Sequence, residues 1–414
     1  MEKLFTQALG LTSPWSVTSV DFSPTDGRID FVVACDEQRL PCPKCGSAEQ
    51  PIHDRLERTW QHLNFFQFKA FIRAGLPRVA CSSCGKITQV EAPWTRQGSG
   101  FTLLMEAFIV ALCREMPMAA VARMLGTTGD RIARVLDYHV AQARAQEVHA
   151  EVTQLAVDER SARRGQRFVT LFHDPAERRL LFATPGRKAA TFAAFTEDFS
   201  AHGGDPGAIE TVSMDMSKAY QAGARKHCPN ATLCFDPFHV VALANEALQQ
   251  VRRAEVKEVP DLKGSRWALL KDAKGWTMNQ ITLMHHLQRT TLKTARAWRL
   301  KEALRDIFAT ATDAVDAQTR LTAWVSWARR SRLPAFKRLG ATILNHLEGI
   351  VEHFRTGLSN GFVEAMNGLI QAAKARARGY ATDHRLITMC YLICGKLKHL
   401  PTNPWMNPYI QTAK

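Results

Sequence analysis

The stretch 155–158 reads Leu-Ala-Val-Asp, and it opens the run of short apolar segments that decides the fold of this chain. Phe-Val-Thr-Leu-Phe at 168–172 and Leu-Leu-Phe-Ala at 180–183 follow, rich in the β-branched and aromatic residues that favour strands. Three strands followed by strands that alternate with helices predict a mixed sheet flanked by helices. The alternating segments are a helix-like 189–200, a strand-like 211–215, a helix-like 217–227 and a strand-like 232–236.

The composition points to a polyanionic partner. The chain has 414 residues, a formal net charge of +15 and a sequence pI of about 9.6. Each phosphate that a Lys or Arg neutralises releases condensed counterions, so this basic excess favours nucleic-acid binding, although a soluble protein can be basic for other reasons. The N-terminal residues do not read as a secretory signal, and no apolar run reaches the roughly 20 residues of a membrane span. We expect a cytoplasmic protein with reduced cysteines.

Four cysteines form two CxxC pairs, each followed at once by glycine. Cys42 and Cys45 make the first pair, Cys81 and Cys84 the second, and 35 residues lie between the pairs. A CxxC turn places two sulfurs on one side of the backbone, so two turns supply the four thiolates that tetrahedral Zn²⁺ prefers. The alternative is a set of unrelated reduced thiols. We predict a structural zinc site, because four protein ligands leave no open coordination position.

The segment 118–136 has the layout of two short helices joined by a tight turn. Its first helix is rich in small residues and ends at Gly126, and a polar turn with a capping threonine precedes the second helix. Small residues allow helices to cross closely, which is typical of a helix-turn-helix. Arg131 and Arg134 would then project from the second helix toward the major groove of DNA. An ordinary helix pair is the alternative.

These motifs divide the chain into regions that differ in their sequence pattern. Residues 1–40 alternate apolar and polar side chains around a turn at 24–27, and the Pro and Gly content of 91–100 predicts a linker. From about 237 to 395 almost every segment has helical periodicity. We predict a multidomain α/β and α protein with five parts: N-terminal strands and a zinc ribbon (1–93), a helix-turn-helix region (94–150), the first part of a mixed-sheet catalytic core (151–256), a large all-α insertion (257–350), and a last catalytic helix with a C-terminal tail (351–414).

Three acidic residues occupy positions that suit a metal site. Asp158 and Asp215 each close an apolar strand, and carboxylates at neighbouring strand ends can converge on hard divalent cations. Taken singly, a strand-end Asp is more often a turn residue and a helical Glu is more often solvated. Glu364 lies in a segment predicted as a two-faced helix. Its polar face holds Asn360, Glu364, Asn367, Gln371 and Arg378, and its apolar face holds Phe362, Met366, Leu369, Ile370, Ala373 and Ala377.

At these residues the sequence resembles the DDE-class insertion-sequence transposases of the ISL-type family. The resemblance runs from Cys42 to about Leu397. It implies an RNase H-like fold with a zinc ribbon and a helix-turn-helix before it and a helical insertion before the final Glu. The motifs that carry it are Val-Asp-Glu at 157–159, Ser-Met-Asp-Met at 213–216, Asp-Pro-Phe-His-Val at 236–240 and the segment 359–367.

The resemblance also implies which residues act. Asp158, Asp215 and Glu364 would be the catalytic, metal-binding triad. On position alone Asp236 competes with Asp215, since both end a strand, and the resemblance ranks Asp215 first. The residues that would support the triad are Asp236, His239, Asn360 and Asn367.

The chemistry implied by the resemblance is phosphoryl transfer on DNA. Two Mg²⁺ or Mn²⁺ ions would clamp the scissile phosphate while water, and later a 3′-hydroxyl, attacks it. The partner would be double-stranded DNA carrying terminal inverted repeats, bound by a homodimer. The position of Lys374, Arg376 and Arg378 close to Glu364 predicts contacts with backbone phosphate, and a solvated basic helix end is the alternative. Two alternatives share part of this pattern: a DNA-binding regulator without catalysis, and an RNase H-like nuclease that cuts without joining.

Overall fold

The computed structural model describes residues 1–163, 167–358 and 361–401. It contains two compact units, one formed mainly by Met1–Gln146 and the other mainly by Glu147–Lys374, and each is described by itself. Among the described residues, none of the helices combines the length and the apolar character that a membrane crossing requires.

A six-stranded sheet forms the first unit's core. The unit begins with the helix α1 (Glu2–Ala8). The strands of the sheet are β1 (Trp15–Ser23), β2 (Arg28–Cys35), β3 (Arg39–Leu40), β4 (Gln50–Gln61), β5 (Lys69–Ala80) and β6 (Ile87–Gln89). The strand order is β1-β2-β5-β4-β3, with β6 paired to β5. β1 and β2 form an antiparallel hairpin around the turn at 24–27, which confirms the strands predicted from the alternation in this region.

Three tryptophans meet at the centre of this core. The Trp94 ring lies edge-on to Trp15 and to Trp60, with centroids 5.0 and 5.6 Å apart, an arrangement that aromatic pairs favour. Trp94 belongs to the segment 91–100, and its carbonyl accepts the N–H of Leu103 at 2.8 Å. Ala92 and Trp94 therefore anchor the segment whose composition predicts a linker to the core, while its other residues stay exposed or partly exposed.

Three helices complete the first unit: α2 (Leu103–Glu115), α3 (Met118–Leu125) and α4 (Gly129–Arg144). Gly126 ends α3 at a φ of +64°, a left-handed conformation that favours glycine. The Thr128 side chain accepts the third backbone N–H of α4 and so caps that helix. Ile132, Val135 and Leu136 are buried, as the sequence predicts. The predicted helix-turn-helix is confirmed.

A buried carboxylate fastens α2 to its neighbours. The fully buried Glu106 accepts from Arg96 Nε at 2.9 Å and from the Ser99 hydroxyl at 2.6 Å. His139 Nε2 of α4 lies 2.7 Å from Glu106 Oε2. Burial raises the pKa of Glu106, but these partners outweigh burial and hold the pKa below its ordinary value. Glu106 is therefore a charged, paired group that connects α2, α4 and the segment before α2.

Glu106→Ala is expected to lower the free energy of unfolding by about 3 kcal/mol, because the mostly buried Arg96 guanidinium would lose its carboxylate. Since the folded-state pKa is lowered, this contribution is present above the unfolded-state pKa and is lost as the pH falls through the folded-state value. Urea unfolding followed by circular dichroism measures the effect. Glu115→Ala, at an exposed position of the same helix, should cost less than about 0.5 kcal/mol. Equal stability of the two variants would contradict this role for Glu106.

A five-stranded mixed sheet organises the second unit. Its strands are β7 (Gln154–Arg163), β8 (Arg167–Asp174), β9 (Arg179–Pro185), β10 (Thr211–Met214) and β11 (Thr232–Phe235). The order is β11-β10-β7-β8-β9, in which β7, β8 and β9 pair antiparallel while β10 and β11 run parallel to β7. The mixed sheet predicted from the strand pattern is confirmed. It has the strand order expected of an RNase H-like core.

Aromatic residues bind the first two helices of this unit to the sheet. These helices are α5 (Ala190–Ala201) and α6 (Lys218–His227). The rings of Phe172 on β8 and Phe195 on α5 stack 4.3 Å apart, and Phe192 and Phe199 are buried beside them. The buried Tyr220 of α6 joins this group, with its ring centroid 6.1 Å from that of Phe192. The spacing of Phe192, Phe195 and Phe199 places all three on one helix face, which explains why α5 packs on the sheet.

A long helical region follows β11, as the sequence predicts. It comprises α7 (Pro237–Glu255), α8 (Arg266–Leu270), α9 (Met278–Gln288), α10 (Lys293–Thr310), α11 (Ala314–Arg330), α12 (Pro334–Asn345), α13 (Leu347–Thr356), α14 (Gly361–Arg376) and α15 (Asp383–Cys394). The Glu255 carboxylate of α7 accepts the backbone N–H groups of Lys293 and Thr294 at 2.8 and 2.6 Å. A charge from one helix thereby caps the N-terminus of α10 and fixes the two together.

Candidate functional site

Three neighbouring strands bring their aspartates to one level of the sheet. In the parallel register, Ala156 of β7, Ser213 of β10 and Cys234 of β11 lie side by side. The carboxyl ends of parallel strands meet at the same edge of a sheet, so residues that follow this row lie at that edge. An aspartate lies two residues beyond the row in each case: Asp215 and Asp236 follow the ends of β10 and β11, whereas Asp158 lies within β7. The prediction that Asp158 closes its strand is wrong, because β7 continues to Arg163 in its pairing with β8.

Three donors orient the carboxylate of Asp158. The Glu159 N–H donates to Oδ1 at 2.7 Å, Asn367 Nδ2 donates to Oδ2 at 2.5 Å, and the Arg160 guanidinium lies 3.3 Å from Oδ2. Burial raises the pKa of Asp158, while Arg160, the Glu159 N–H and Asn367 each favour the charged form. The side chain is thus held in one position by the protein itself.

Helix α14 carries Glu364 and Asn367 to this edge. Its buried residues are Val363, Met366, Asn367, Ile370 and Ala373. Met366, Ile370 and Ala373 lie on the side predicted to be apolar, but Leu369 is 55 % exposed and that prediction is wrong. The helix is rotated so that Val363 and Asn367 face inward, because Asn367 bonds Asp158. Arg378, predicted on the polar face, lies beyond the helix end with a φ of +55°, and Asn360 lies outside the described residues.

The negative charges of two aspartates act on the Glu364 carboxylate. Burial raises its pKa, and the charge of Asp236 raises it further, followed by a smaller effect of Asp158, whereas His239 opposes the rise. Asp236 itself is buried and caps α7 by accepting the N–H of Phe238 at 3.2 Å. The structure thus places Glu364, Asp158, Asp236 and His239 close enough to act on one another's charge.

Two oxygens of this cluster are left without donors. Glu364 Oε1 and Asn367 Oδ1 are buried and have no hydrogen-bond partner within the described part of the chain. Buried oxygens are normally satisfied, and hard divalent cations take carboxylate and amide oxygens as ligands. The oxygen donors at this edge are of the kind that Mg²⁺ or Mn²⁺ takes, and the carboxylates whose charges act on Glu364 are those of Asp236 and Asp158.

Glu159 is the acidic neighbour of Asp215. Burial raises the pKa of Glu159, and the charge of Asp215 raises it further. The Glu159 carboxylate accepts from the Tyr220 hydroxyl at 3.3 Å, and that hydroxyl lies 2.9 Å from Thr170 Oγ1. Asp215 accepts the Ser217 N–H at 2.9 Å. Of the adjacent pair in β7, Asp158 contacts α14 and Glu159 contacts α6.

Sequence reasoning missed Arg160 and Tyr220. Residues two apart on a strand point to the same face, so the position of Arg160 after Asp158 was a signal that could have found it. No local signal marks Tyr220, because it reaches Glu159 only through the packing of α6 on the sheet.

The four paired cysteines also meet in space. The sulfurs of Cys42, Cys45, Cys81 and Cys84 lie within 4.8 Å of one another, with Cys42 to Cys84 at 3.9 Å and Cys45 to Cys81 at 3.5 Å. Tetrahedral Zn–S bonds of about 2.3 Å place sulfurs about 3.8 Å apart, close to these two distances, so this cluster fits zinc. Backbone N–H donation, chiefly from Cys84, lowers the pKa of Cys81 to about 6 and favours the thiolate that binds metal.

Comparison with known proteins agrees with this geometry. A family model for DDE transposases of the ISL3 type, described as a transposase, matches residues 155–390, which is more than half of the chain. The chain belongs to this transposase family. A model described as the helix-turn-helix domain of transposase family ISL3 matches residues 90–140, and one described as the zinc-finger of transposase IS204/IS1001/IS1096/IS1165 matches residues 38–84.

Two named relatives are similar to this ISL3-type transposase over nearly their whole length. The chain is 29 % identical to a transposase for insertion sequence element IS1557 of Mycobacterium tuberculosis, over 100 % of this chain and 99 % of that protein. It is 25 % identical to a transposase for insertion sequence element IS1001 of Bordetella parapertussis, over 92 % and 95 % of the two chains. The family and its two matched DNA-binding domains make the chain a DNA-processing transposase.

The two arginines predicted on the second helix differ in their surroundings. The Arg131 guanidinium lies 4.4 Å over the Phe101 ring and donates to the carbonyl of Gly100 at 3.3 Å, so it is half-buried. Arg134 is exposed. Both line a cleft of about 280 Å³ whose other basic residues are Arg58 and Arg96. The helix-turn-helix of this transposase thus shares a basic cleft with strand β4.

The basic residues near the end of α14 also differ from one another. Lys374 Nζ donates to the carbonyl of Ser161 at 2.6 Å, which ties α14 to the end of β7. Arg376 and Arg378 are exposed. The predicted phosphate contacts of all three stay a prediction for this transposase, and Lys374 has a structural bond that the sequence did not indicate.

Proposed function

We propose that this ISL3-type transposase binds the terminal inverted repeats of its element and catalyses Mg²⁺-dependent cleavage and transfer of DNA strands. Asp158, Asp215 and Glu364 would be its metal-binding triad. The observation that carries this proposal is the common level of Asp158, Asp215 and Asp236 in the sheet, together with the buried oxygen of Glu364 that has no hydrogen-bond partner among the described residues. Mn²⁺ would serve in place of Mg²⁺, since both take oxygen ligands.

The protein's own residues divide the work at this site. Asn367 and Arg160 hold the Asp158 carboxylate in place, and His239 balances the negative charge that Asp236 and Glu364 bring together. Two bound ions would supply Lewis acidity to the scissile phosphate and lower the pKa of the attacking hydroxyl. Asp215 and Asp236 each accept the backbone N–H two residues further on, so this bond does not separate them. The family resemblance favours Asp215 as the ligand and Asp236 as a positioning residue.

The DNA would be held by the basic cleft of the first unit and by the exposed arginines after Glu364. Arg134 is the exposed residue of the second helix and would contact DNA directly, whereas Arg131 positions that helix by its bond to Gly100. We propose a homodimer that pairs two DNA ends, because family members join ends, and activity in the bacterial cytosol, where that DNA lies.

The test is a joining assay with purified full-length protein, Mg²⁺ and linear DNA that carries the inverted repeats flanking its gene. Cutting at the repeat ends and joined products, both dependent on Mg²⁺ and absent on DNA without repeats, are expected. Binding without any cleavage would favour the DNA-binding regulator. Cleavage without joined products would favour the RNase H-like nuclease.

Arg134→Ala is expected to weaken binding to the repeats about tenfold and to reduce the slope of log affinity against log salt by about 1, as the loss of one phosphate contact does. Fluorescence anisotropy over a salt series measures both quantities. Arg144→Ala, in the last turn of the same helix, is the matched control and should leave both unchanged. If the two variants bind alike, Arg134 does not face the DNA.

A further inference from the structure

A cavity of about 450 Å³ lies at the end of β9, beside the segment that leads into α5. Its volume is within the range of clefts that hold small ligands. Two of its lining residues, Arg187 and Lys188, are basic and exposed, and Phe168 of β8 and Thr184 of β9 form part of its wall. None of these four residues has a role in the acidic site or in the DNA contacts proposed above.

The strand register places this cavity at the same edge of the sheet as the acidic residues. Glu159 of β7 pairs with Thr170 of β8, which pairs in turn with Thr184 of β9. β9 therefore runs parallel to β7, since both are antiparallel to β8, and its end lies at the level of Glu159. Two strands with a third between them lie about 10 Å apart, so the cavity is about that far from the acidic residues of β7.

Hydrogen bonds connect the segment between β9 and α5 to the acidic site. The Gly186 N–H donates to the carbonyl of Phe168 at 2.7 Å, and the Thr170 hydroxyl donates to the carbonyl of Gly186 at 2.7 Å. Thr170 Oγ1 also lies 2.9 Å from the Tyr220 hydroxyl, which bonds the Glu159 carboxylate. The start of the segment is thus held in a defined position relative to that carboxylate.

The Arg187 guanidinium is oriented by an aromatic ring and keeps its donors. Its central carbon lies 4.5 Å from the centroid of the Phe168 ring, a cation–π contact. The side chains of Arg187 and Lys188 form no hydrogen bond or ion pair within the described part of the chain. The charge of Arg187 also acts on the acidic site, since it opposes the rise in the pKa of Glu159.

A phosphate group suits this pair of side chains. A guanidinium presents N–H donors in a fork that matches phosphate oxygens, and an ammonium adds a compact positive charge. The carboxylates at the same edge repel a DNA backbone, so exposed basic residues beside them favour its approach. A DNA strand carries one phosphate per about 3.4 Å of helix axis, so it covers about 10 Å within about three nucleotides.

We propose that Arg187 and Lys188 form a subsite for one backbone phosphate of the DNA, about three nucleotides from the phosphate that is cut. This inference rests on the proposed function. Phe168 positions the arginine, and the subsite sets how far the strand extends past the acidic edge. It thereby determines which bond of the strand reaches Asp158 and Asp215.

Neutral phosphates test the subsite through a double-mutant cycle between protein and DNA. Repeat DNA is prepared with one uncharged methylphosphonate at each successive position near the repeat end, and anisotropy measures its binding. Wild type should lose affinity wherever a contacted phosphate is neutral. At one position, about three nucleotides from the cut, Arg187→Ala/Lys188→Ala should bind modified and unmodified DNA alike. This double variant should bind unmodified DNA about 30-fold more weakly, with a salt slope reduced by about 2.

Arg178→Ala, in the exposed turn at the other end of β9, is the matched control and should respond to every neutral phosphate as wild type does. Arg187→Lys keeps the charge and should recover the salt slope but only part of the affinity, because it lacks the fork. Mapping of the cut should show that the double variant cuts at more than one bond.

Binding and cutting are measured separately, so the two proposals can fail separately. A wild type that binds the repeats without cutting them would contradict the proposed function, while the methylphosphonate series would still decide the subsite. A double variant that responds to every neutral phosphate as wild type does would overturn the subsite, even if strand cleavage is confirmed.

Discussion

Asp158→Asn is expected to lower the rate of strand cleavage by about 10³-fold or more while DNA binding stays unchanged. The substitution keeps the shape of the side chain but removes the charge that would hold the catalytic ion. Losing several kcal/mol of transition-state stabilisation corresponds to this factor, since about 1.4 kcal/mol is tenfold in rate. Single-turnover cleavage of end-labelled repeat DNA measures the rate, and anisotropy measures binding.

The matched control is Asp261→Asn, an exposed aspartate of the same unit, which should cleave like wild type. The rate of strand cleavage should fall as far in Asp215→Asn as in Asp158→Asn. The cleavage rate of Asp236→Asn should fall less and should recover partly at a higher Mg²⁺ concentration, because Asp236 is proposed to position the site and not to bind the ion. Full activity of Asp158→Asn would falsify the proposed triad, and a deeper loss in Asp236→Asn than in Asp215→Asn would exchange their roles.

Cys81→Ser is expected to remove one zinc equivalent from the chain and to weaken binding to the repeats by about 100-fold. Replacing one of four thiolates leaves the ion incompletely held, and the energy of binding a structural zinc is energy of folding for the elements it joins. Here those elements are the turn before β4 and the turn after β5, which are joined across the cluster. Elemental analysis after gel filtration, together with anisotropy, gives both quantities.

Cys35→Ala provides the comparison, because Cys35 is a buried cysteine of the same sheet that lies outside the cluster. The Cys35→Ala protein should keep its zinc and should lose only the small amount of unfolding free energy that corresponds to the cavity left by a thiol. A Cys81→Ser protein with unchanged zinc content would show that the ion is held elsewhere. Unchanged DNA binding despite the lost zinc would show that the ribbon does not support the DNA-binding surface.

The elements whose signals lie within one stretch of sequence could be predicted. The strands of the mixed sheet, the helix-turn-helix and the CxxC pairs each depend on neighbouring residues, and the structure contains all of them. The buried side of α14 was partly missed because it depends on a bond between Asn367 and Asp158, 209 residues apart. The packing of Trp94 was missed for a similar reason, since its ring partners come from β1 and β4.

The candidate site shows the same division. Asp215 and Asp236 could be found as strand ends, whereas Asp158 follows an apolar run but lies within a longer strand. The common level of the three depends on strand register, which the sequence does not state. The roles of Arg131 and Lys374 also escaped prediction. A basic residue on a helix looks the same in sequence whether it faces solvent or donates to a backbone carbonyl, as these two do.

The order of the site residues along the chain has a consequence for regulation by translation. Glu364 lies on α14, 149 residues after Asp215, while the zinc ribbon and the helix-turn-helix come from the first 146 residues. A ribosome that stopped within the helical region would release a product with both DNA-binding elements and no complete triad. Such a product would occupy the element's ends without cutting them. Premature termination would thereby turn the gene into a source of its own inhibitor.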